Sequence, residues 1–393
     1  MTAKPDTALI FGAGGIGRGF IGQLFRDSGL AVTFADVDPV LVEAINRAGS
    51  YRLQTVLHDD IRDYTIGPVR ALHGIDDAGA VATALAEARL AATAVGGGAL
   101  RHLVPVVVDG LQQRARRPAA EPLNILLCEN LKGAAASFKT MVAAAMPAAL
   151  HDWLESHVGF VDTVIGRMVP VPTEAMRADD PGFIRTEPYR ELPVDGRGVR
   201  GSLPPIDGLR VEPDFAPFTA RKLYLHNCGH AVLAYIGTLY GHSGGPEALA
   251  DSRVRAALEG ALRESRAGIA ARFGTPPDAL EAFTADLIDR FANRALGDTL
   301  ARLGRDPLRK LAAEDRLVGA ARLAERVTPP VYLADAIAAA LRFAPPDDPA
   351  AAELQARLAR DGMARTLPAV SGIAPDEPLG HLIAAAYQRQ GGT

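Results

Sequence analysis

The feature that most constrains this chain is Gly12-Ala13-Gly14-Gly15-Ile16-Gly17, a G-x-G-x-x-G run. It directly follows the apolar stretch 8–11 and opens a segment, 16–28, with helical spacing. A glycine run between a strand and a helix has a mechanical reading. Gly12 permits the tight turn, Gly14 lets the backbone approach a pyrophosphate, and Gly17 lets the helix pack on its strand, with Gly15 and Ile16 completing the loop. The opening of the helix adds free N–H groups and a partial positive charge for the phosphates. A second apolar run, 31–35, ends at Asp36, 19 residues after Gly17. An acid there accepts hydrogen bonds from the adenosine ribose hydroxyls and repels a 2′-phosphate, so the expected cofactor is NAD and not NADP. The plainer alternative is a structural glycine turn with a solvated Asp.

Further apolar runs at 91–95 and 123–128 are closed by Gly96-Gly97-Gly98 and by Glu129-Asn130. Gly96 is a candidate for letting the backbone pass close to the nicotinamide ribose, or else part of a flexible turn. Apolar strands separated by helices predict βαβ units on a parallel sheet, and 161–172 reads as one more extended segment. Between 179 and 217 Pro, Gly and Asp dominate and periodicity fades, which predicts the domain boundary. From Thr219 onward the pattern is nearly all helical, with stops at 241–245, 275–277, 329–330 and 345–346. The expected fold class is α/β, a Rossmann-type dinucleotide-binding domain over 1–195 followed by a mainly α-helical substrate domain over 196–393.

Composition excludes several function classes. A chain of 393 residues with 48% hydrophobic and 22% charged residues suits two well-filled globular domains. The most apolar window, 81–108, is broken by Glu87, Arg89 and Arg101, so no membrane span is expected. A net charge of -4 without a long basic run gives no nucleic acid partner. Two cysteines, and a start that runs straight into a strand pattern, point to a reducing, cytoplasmic location. Of 42 basic residues only five are lysine: Lys4, Lys132, Lys139, Lys222 and Lys310. A lysine kept in so arginine-rich a chain is favoured where an amine must lose its proton, which guanidinium does not do.

One such lysine opens the run Lys222-Leu223-Tyr224-Leu225-His226-Asn227-Cys228-Gly229-His230. At about 100° per residue, His230 falls ~80° and Asn227 ~140° around an α-helix from Lys222, on one broad polar face. Beside a dinucleotide domain this face suits hydride transfer without a metal. Lys222 serves as the base once burial lowers its pKa, and Asn227 and His230 bind the reacting oxygen. Two alternatives stand beside it: polar residues satisfied within a buried helix, and a zinc site from His226, Cys228 and His230. On a helix Cys228 points away from both histidines and no acid completes the set, so no metal is expected.

The opening A-L-I-F-G-A-G-G-I-G-R-G-F-I-G with F-A-D at 34–36, C-E-N at 128–130, K-L-Y-L-H-N-C-G-H-A at 222–231 and R-D-P-L-R-K-L at 305–311 resemble the polyol-specific long-chain dehydrogenases. The resemblance runs almost from end to end. It implies an NAD domain, a helical substrate domain and a small-molecule substrate held between them. It also implies the reversible conversion of mannitol 1-phosphate and NAD⁺ into fructose 6-phosphate and NADH. Lys222 matches the family's general base, Asn130 and Asn227 its oxyanion-binding asparagines, and His230 its substrate-orienting histidine. Segment 305–311 resembles the phospho-specific branch and makes Arg309 and Lys310 candidates for the substrate phosphate. The chain departs from the family's pattern at Arg294 and Gly97, where the family often has proline. Sister activities on unphosphorylated mannitol or on a sugar acid such as fructuronate, and a silent NAD-binding sensor, are the competing readings.

Overall fold

The computed structural model describes residues 6–117, 121–129 and 131–391. The chain divides into two compact units, 1–215 and 216–393. The first is built on a six-stranded sheet of β1 (Thr7–Phe11), β2 (Ala31–Asp36), β3 (Val69–His73), β4 (Leu90–Thr93), β5 (Leu123–Leu127) and β6 (Val158–Asp162). Every pairing is parallel and the order is β3-β2-β1-β4-β5-β6. That is the doubly wound order, whose direction of winding reverses between β1 and β4.

Side chains on successive strand positions point to opposite faces, and both faces are filled. Ala8, Ile10, Val32, Phe34 and Leu126 pack with Phe20, Leu24 and Phe25 on one face. Leu9, Phe11, Leu123, Ile125 and Leu127 pack with Leu85, Val107, Leu111 and Phe138 on the other. The apolar runs therefore show no polar alternation, as a doubly covered parallel sheet requires.

The edge strand β3, whose run is broken by Arg70, and two smaller sheets escape the sequence reading. Tyr51–Leu57 and Asp60–Ile66 form an antiparallel hairpin, joined in parallel by Ile184–Thr186. Leu192–Asp195 also pairs in parallel with Leu209–Glu212, which keeps the chain beyond 195 in the first unit. Of the extended segment expected over 161–172, only its first two residues belong to a strand, β6.

The second unit is helical. Its central helix, Cys228–Leu239, is buried at every position from Cys228 to Gly237 except His230, and packs against Ser252–Phe273 and Val331–Leu341. Helix ends fall at the Gly and Pro stops: Leu239 before Gly241, Phe273 before Thr275, and Val331 after Pro329-Pro330. Glu264, buried inside the long helix, accepts hydrogen bonds from Tyr332 N and Leu333 N at 2.9 Å each. It thereby takes up free donors at the start of the next helix. Among the described residues no helix is long and apolar enough to cross a membrane.

Candidate active site

In the first unit, the candidate nucleotide loop is shaped by contacts that only glycine permits. Gly12 leaves β1 with φ +92°, and a Cβ there would lie 2.5 Å from the Ala94 carbonyl oxygen beyond β4. A Cβ on Gly17 would fall on the Gly12 carbonyl oxygen. Gly14 faces open space, with nothing within 4 Å of its would-be Cβ. The loop is thus packed where it turns and open where a pyrophosphate would approach, and the residues fit a dinucleotide. Asp36 ends β2 and its Oδ2 accepts a hydrogen bond from Ala13 N at 2.5 Å, so the acid stands beside the glycine turn.

Arg18, buried and missed by sequence reasoning, braces this loop. Its guanidinium donates to the carbonyls of Ala13, Pro181 and Gly182. Residues 17–22 form a π-helical turn within the first helix. Gly22 sits there against Phe34, Tyr51 and the Gly17 carbonyl, and Tyr51 Oη donates to the Arg18 carbonyl at 2.8 Å.

In the second unit, the candidate chemical segment also carries a π turn, over Lys222–Asn227, set between Ala216–Arg221 and Cys228–Leu239. The α-helical spacing expected from the sequence is corrected here. Hydrogen bonding from i to i+5 winds each residue through less than 100°, so Asn227 lies nearer the Lys222 face than the ~140° of an α-helix. Ser265, fully buried, donates to the Tyr224 carbonyl at 2.6 Å and satisfies a group within the widened turn. Gly319 lies under the Tyr224 ring, where a Cβ would be 2.5 Å from it.

Lys222 is half-buried and Asn227 is buried. The His226 and His230 rings meet edge to face at 5.0 Å, and His230 stacks on Phe291 at 4.1 Å. Burial holds both imidazoles well below the usual histidine range, and the Lys222 charge pushes in the same direction. His230 is therefore neutral at neutral pH, with one ring nitrogen to donate and one to accept. The charges that act most on both rings are cationic: Lys222, Arg290 and Arg316, with Arg302 added at His230. Arg290 and Arg316 are buried and carry no signal that sequence reasoning used.

Arg309 and Lys310 adjoin in sequence but diverge in space. Arg309 is exposed and its Nε bonds Asp306 Oδ2 at 3.0 Å. Lys310 is buried, its Nζ donates to the Arg305 carbonyl, and burial brings its pKa down to about 7. Asp306, which precedes both, has φ +61°, uncommon for a residue other than glycine, and is held by Asp348 through its N–H at 2.8 Å. Asn130 lies outside the described residues. Cys228 is buried with its thiol pushed up to about 12, and among the described residues no three His, Cys, Asp or Glu side chains cluster as metal ligands.

Two family models match the chain in succession. The mannitol dehydrogenase Rossmann domain covers residues 6–208, and the mannitol dehydrogenase C-terminal domain covers 214–386. Among solved structures, the Pseudomonas fluorescens mannitol 2-dehydrogenase ternary complex with NAD and D-mannitol is similar at 21% identity and TM-score 0.73. The match covers 99% of this chain and 92% of that one. A D-sorbitol dehydrogenase in substrate-free form matches at 17% identity and TM-score 0.81, over 99% of this chain and 96% of that one. At these identities the structures speak for the fold, while the models span the sequence itself. The chain belongs to the mannitol dehydrogenase family.

Proposed function

We propose that this protein is an NAD-dependent, metal-independent polyol-phosphate dehydrogenase that interconverts mannitol 1-phosphate and fructose 6-phosphate. The cofactor is NAD, which when bound accepts or returns the hydride. Gly12, Gly14, Gly15, Ile16 and Gly17 carry its pyrophosphate, Asp36 its adenosine ribose, and Gly96 lies at its nicotinamide end. Lys222 takes the hydroxyl proton in oxidation and returns it in reduction. Asn130 and Asn227 hold the reacting oxygen, neutral His230 orients the substrate, and Arg309 and Lys310 bind the phosphate.

The observation that carries this reading is the segment 305–311, whose short helix Pro307–Lys310 sets two cations, Arg309 and Lys310, next to each other in sequence. A neutral polyol gains little from such a pair, whereas an anionic one is drawn to it. A second reading, an unphosphorylated polyol, draws on the partners Arg309 and Lys310 already hold in Asp306 and Arg305. Initial rates of NADH oxidation separate the two. A charge-assisted contact to phosphate is worth roughly 1.5–3 kcal/mol, so kcat/KM should favour fructose 6-phosphate over fructose by at least about tenfold. Equal values on the two ketoses would give the second reading the field.

A further inference from the structure

We propose that Glu129 is a positioning residue for the nicotinamide half of the cofactor, acting through the backbone turn at Val95–Gly96. The inference rests on the NAD reading above. Glu129 follows β5 and is only 6% exposed. Its Oε1 accepts a hydrogen bond from Val95 N at 3.1 Å and its Oε2 one from Gly96 N at 2.7 Å. Each carboxylate oxygen thus takes one of two consecutive N–H groups, a demand that no neutral side chain of the same size meets on both sides.

The turn held in this way needs holding. Gly96 has φ +87°, and its N–H and that of Val95 converge on one point, as in the backbone concavities that capture anions. Glu129 fills that concavity from within the protein. The turn is therefore closed to a competing phosphate, and pyrophosphate is left to the Gly12–Gly17 loop. The same turn is tied to β1 on its other side, since Ala94 N donates to the Phe11 carbonyl at 2.7 Å and the Ala94 carbonyl abuts Gly12. Gly97 packs beside Leu131, where a Cβ would come 3.1 Å from Leu131 Cδ2. No atom stands within 4 Å of a would-be Cβ on Gly96 or Gly98. The result is a turn clamped from beneath by β1 and β5 and open on its outer face. It lies where the winding of the sheet reverses and a dinucleotide crosses from one half to the other.

Calorimetric titration of the full chain with NADH and with AMP tests the assignment, because AMP lacks the nicotinamide half. In Glu129→Gln the amide presents N–H to a backbone N–H and forfeits one charge-assisted bond, so the NADH Kd should rise by about ten- to a hundredfold. AMP binding should stay within about twofold of wild type, within the non-additivity expected between separate sites. An unchanged NADH Kd overturns the proposal. Parallel losses of NADH and AMP also overturn it, since they describe a general loosening of the unit. Wild-type protein that binds AMP but not NADH would instead overturn the NAD reading itself.

Discussion

In the proposed mechanism Lys222 is the base, and two substitutions separate its chemistry from its charge. Lys222→Ala should cost several decades in kcat and leave the NADH Kd nearly unchanged. Lys222→Arg keeps the charge but not a group that deprotonates in the working range, so it should fail almost as badly. Near-normal activity of the arginine variant in stopped-flow assays would reduce Lys222 to an electrostatic residue. Asp36→Ala should weaken NAD and relieve the exclusion of NADP, read as the ratio of kcat/KM for the two cofactors. Equal use of both by wild type would remove the role given to Asp36. His226 makes a prediction about stability. Its pKa is lowered in the folded state, so between that value and the ordinary ~6.5 the unfolded chain binds the extra proton. Stability should thus fall as pH drops below ~6.5, by up to about 1.4 kcal/mol per pH unit from this ring. Chemical denaturation of His226→Gln over the same window should show a shallower slope, and an identical slope would mean the ring titrates normally. Candidate residues stand out in the sequence where their chemistry is unusual for their position, as Lys222 does in an arginine-rich chain and Asp36 at the end of an apolar run. Arg18, Arg290 and Arg316 do not, because one arginine among so many carries no local mark and acquires its role from the fold.

At the scale of elements, the inner strands β1, β2, β4 and β5 announce themselves as apolar runs, whereas the edge strand β3, broken by Arg70 and ending at His73, does not. Nor does the hairpin. Asp60–Ile66 is exposed at every position but its last, so it offers no alternation to read. The π turn at Lys222–Asn227 is equally silent, because nothing in its composition separates i→i+5 from i→i+4 bonding; Ser265 and Gly319, distant in sequence, accommodate it. The short helix Pro307–Lys310 joins element to function through the buried Lys310, whose pKa is about 7. If this element binds the substrate phosphate, the dianion must keep that amine protonated. Binding of fructose 6-phosphate at pH 7 should then take up about half a proton more in wild type than in Lys310→Met, since half the free amines are neutral at their pKa. Calorimetry in buffers of different ionisation enthalpy measures this directly. The same proton uptake in both proteins would remove Lys310 from the phosphate site.

For the whole molecule, the proposed function divides between the two compact units of the chain. The first carries the glycine turn and Asp36, the second Lys222, Asn227 and His230. On the proposed function, separate cores let each unit set its own part of the free energy, with cofactor binding assigned to one and proton transfer to the other. Substitutions in different units should therefore add. For Asp36→Ala combined with Lys222→Ala, the NADH Kd should equal that of the Asp36 variant alone, and kcat at saturating NADH that of the Lys222 variant alone. Agreement within about 0.5 kcal/mol in each quantity is what independence predicts. A coupling energy well above that, in either direction, would mean that the base responds to how the ribose is held. Cofactor binding and proton transfer would then be one cooperative event, and the two units could not be treated as separate contributors to the reaction.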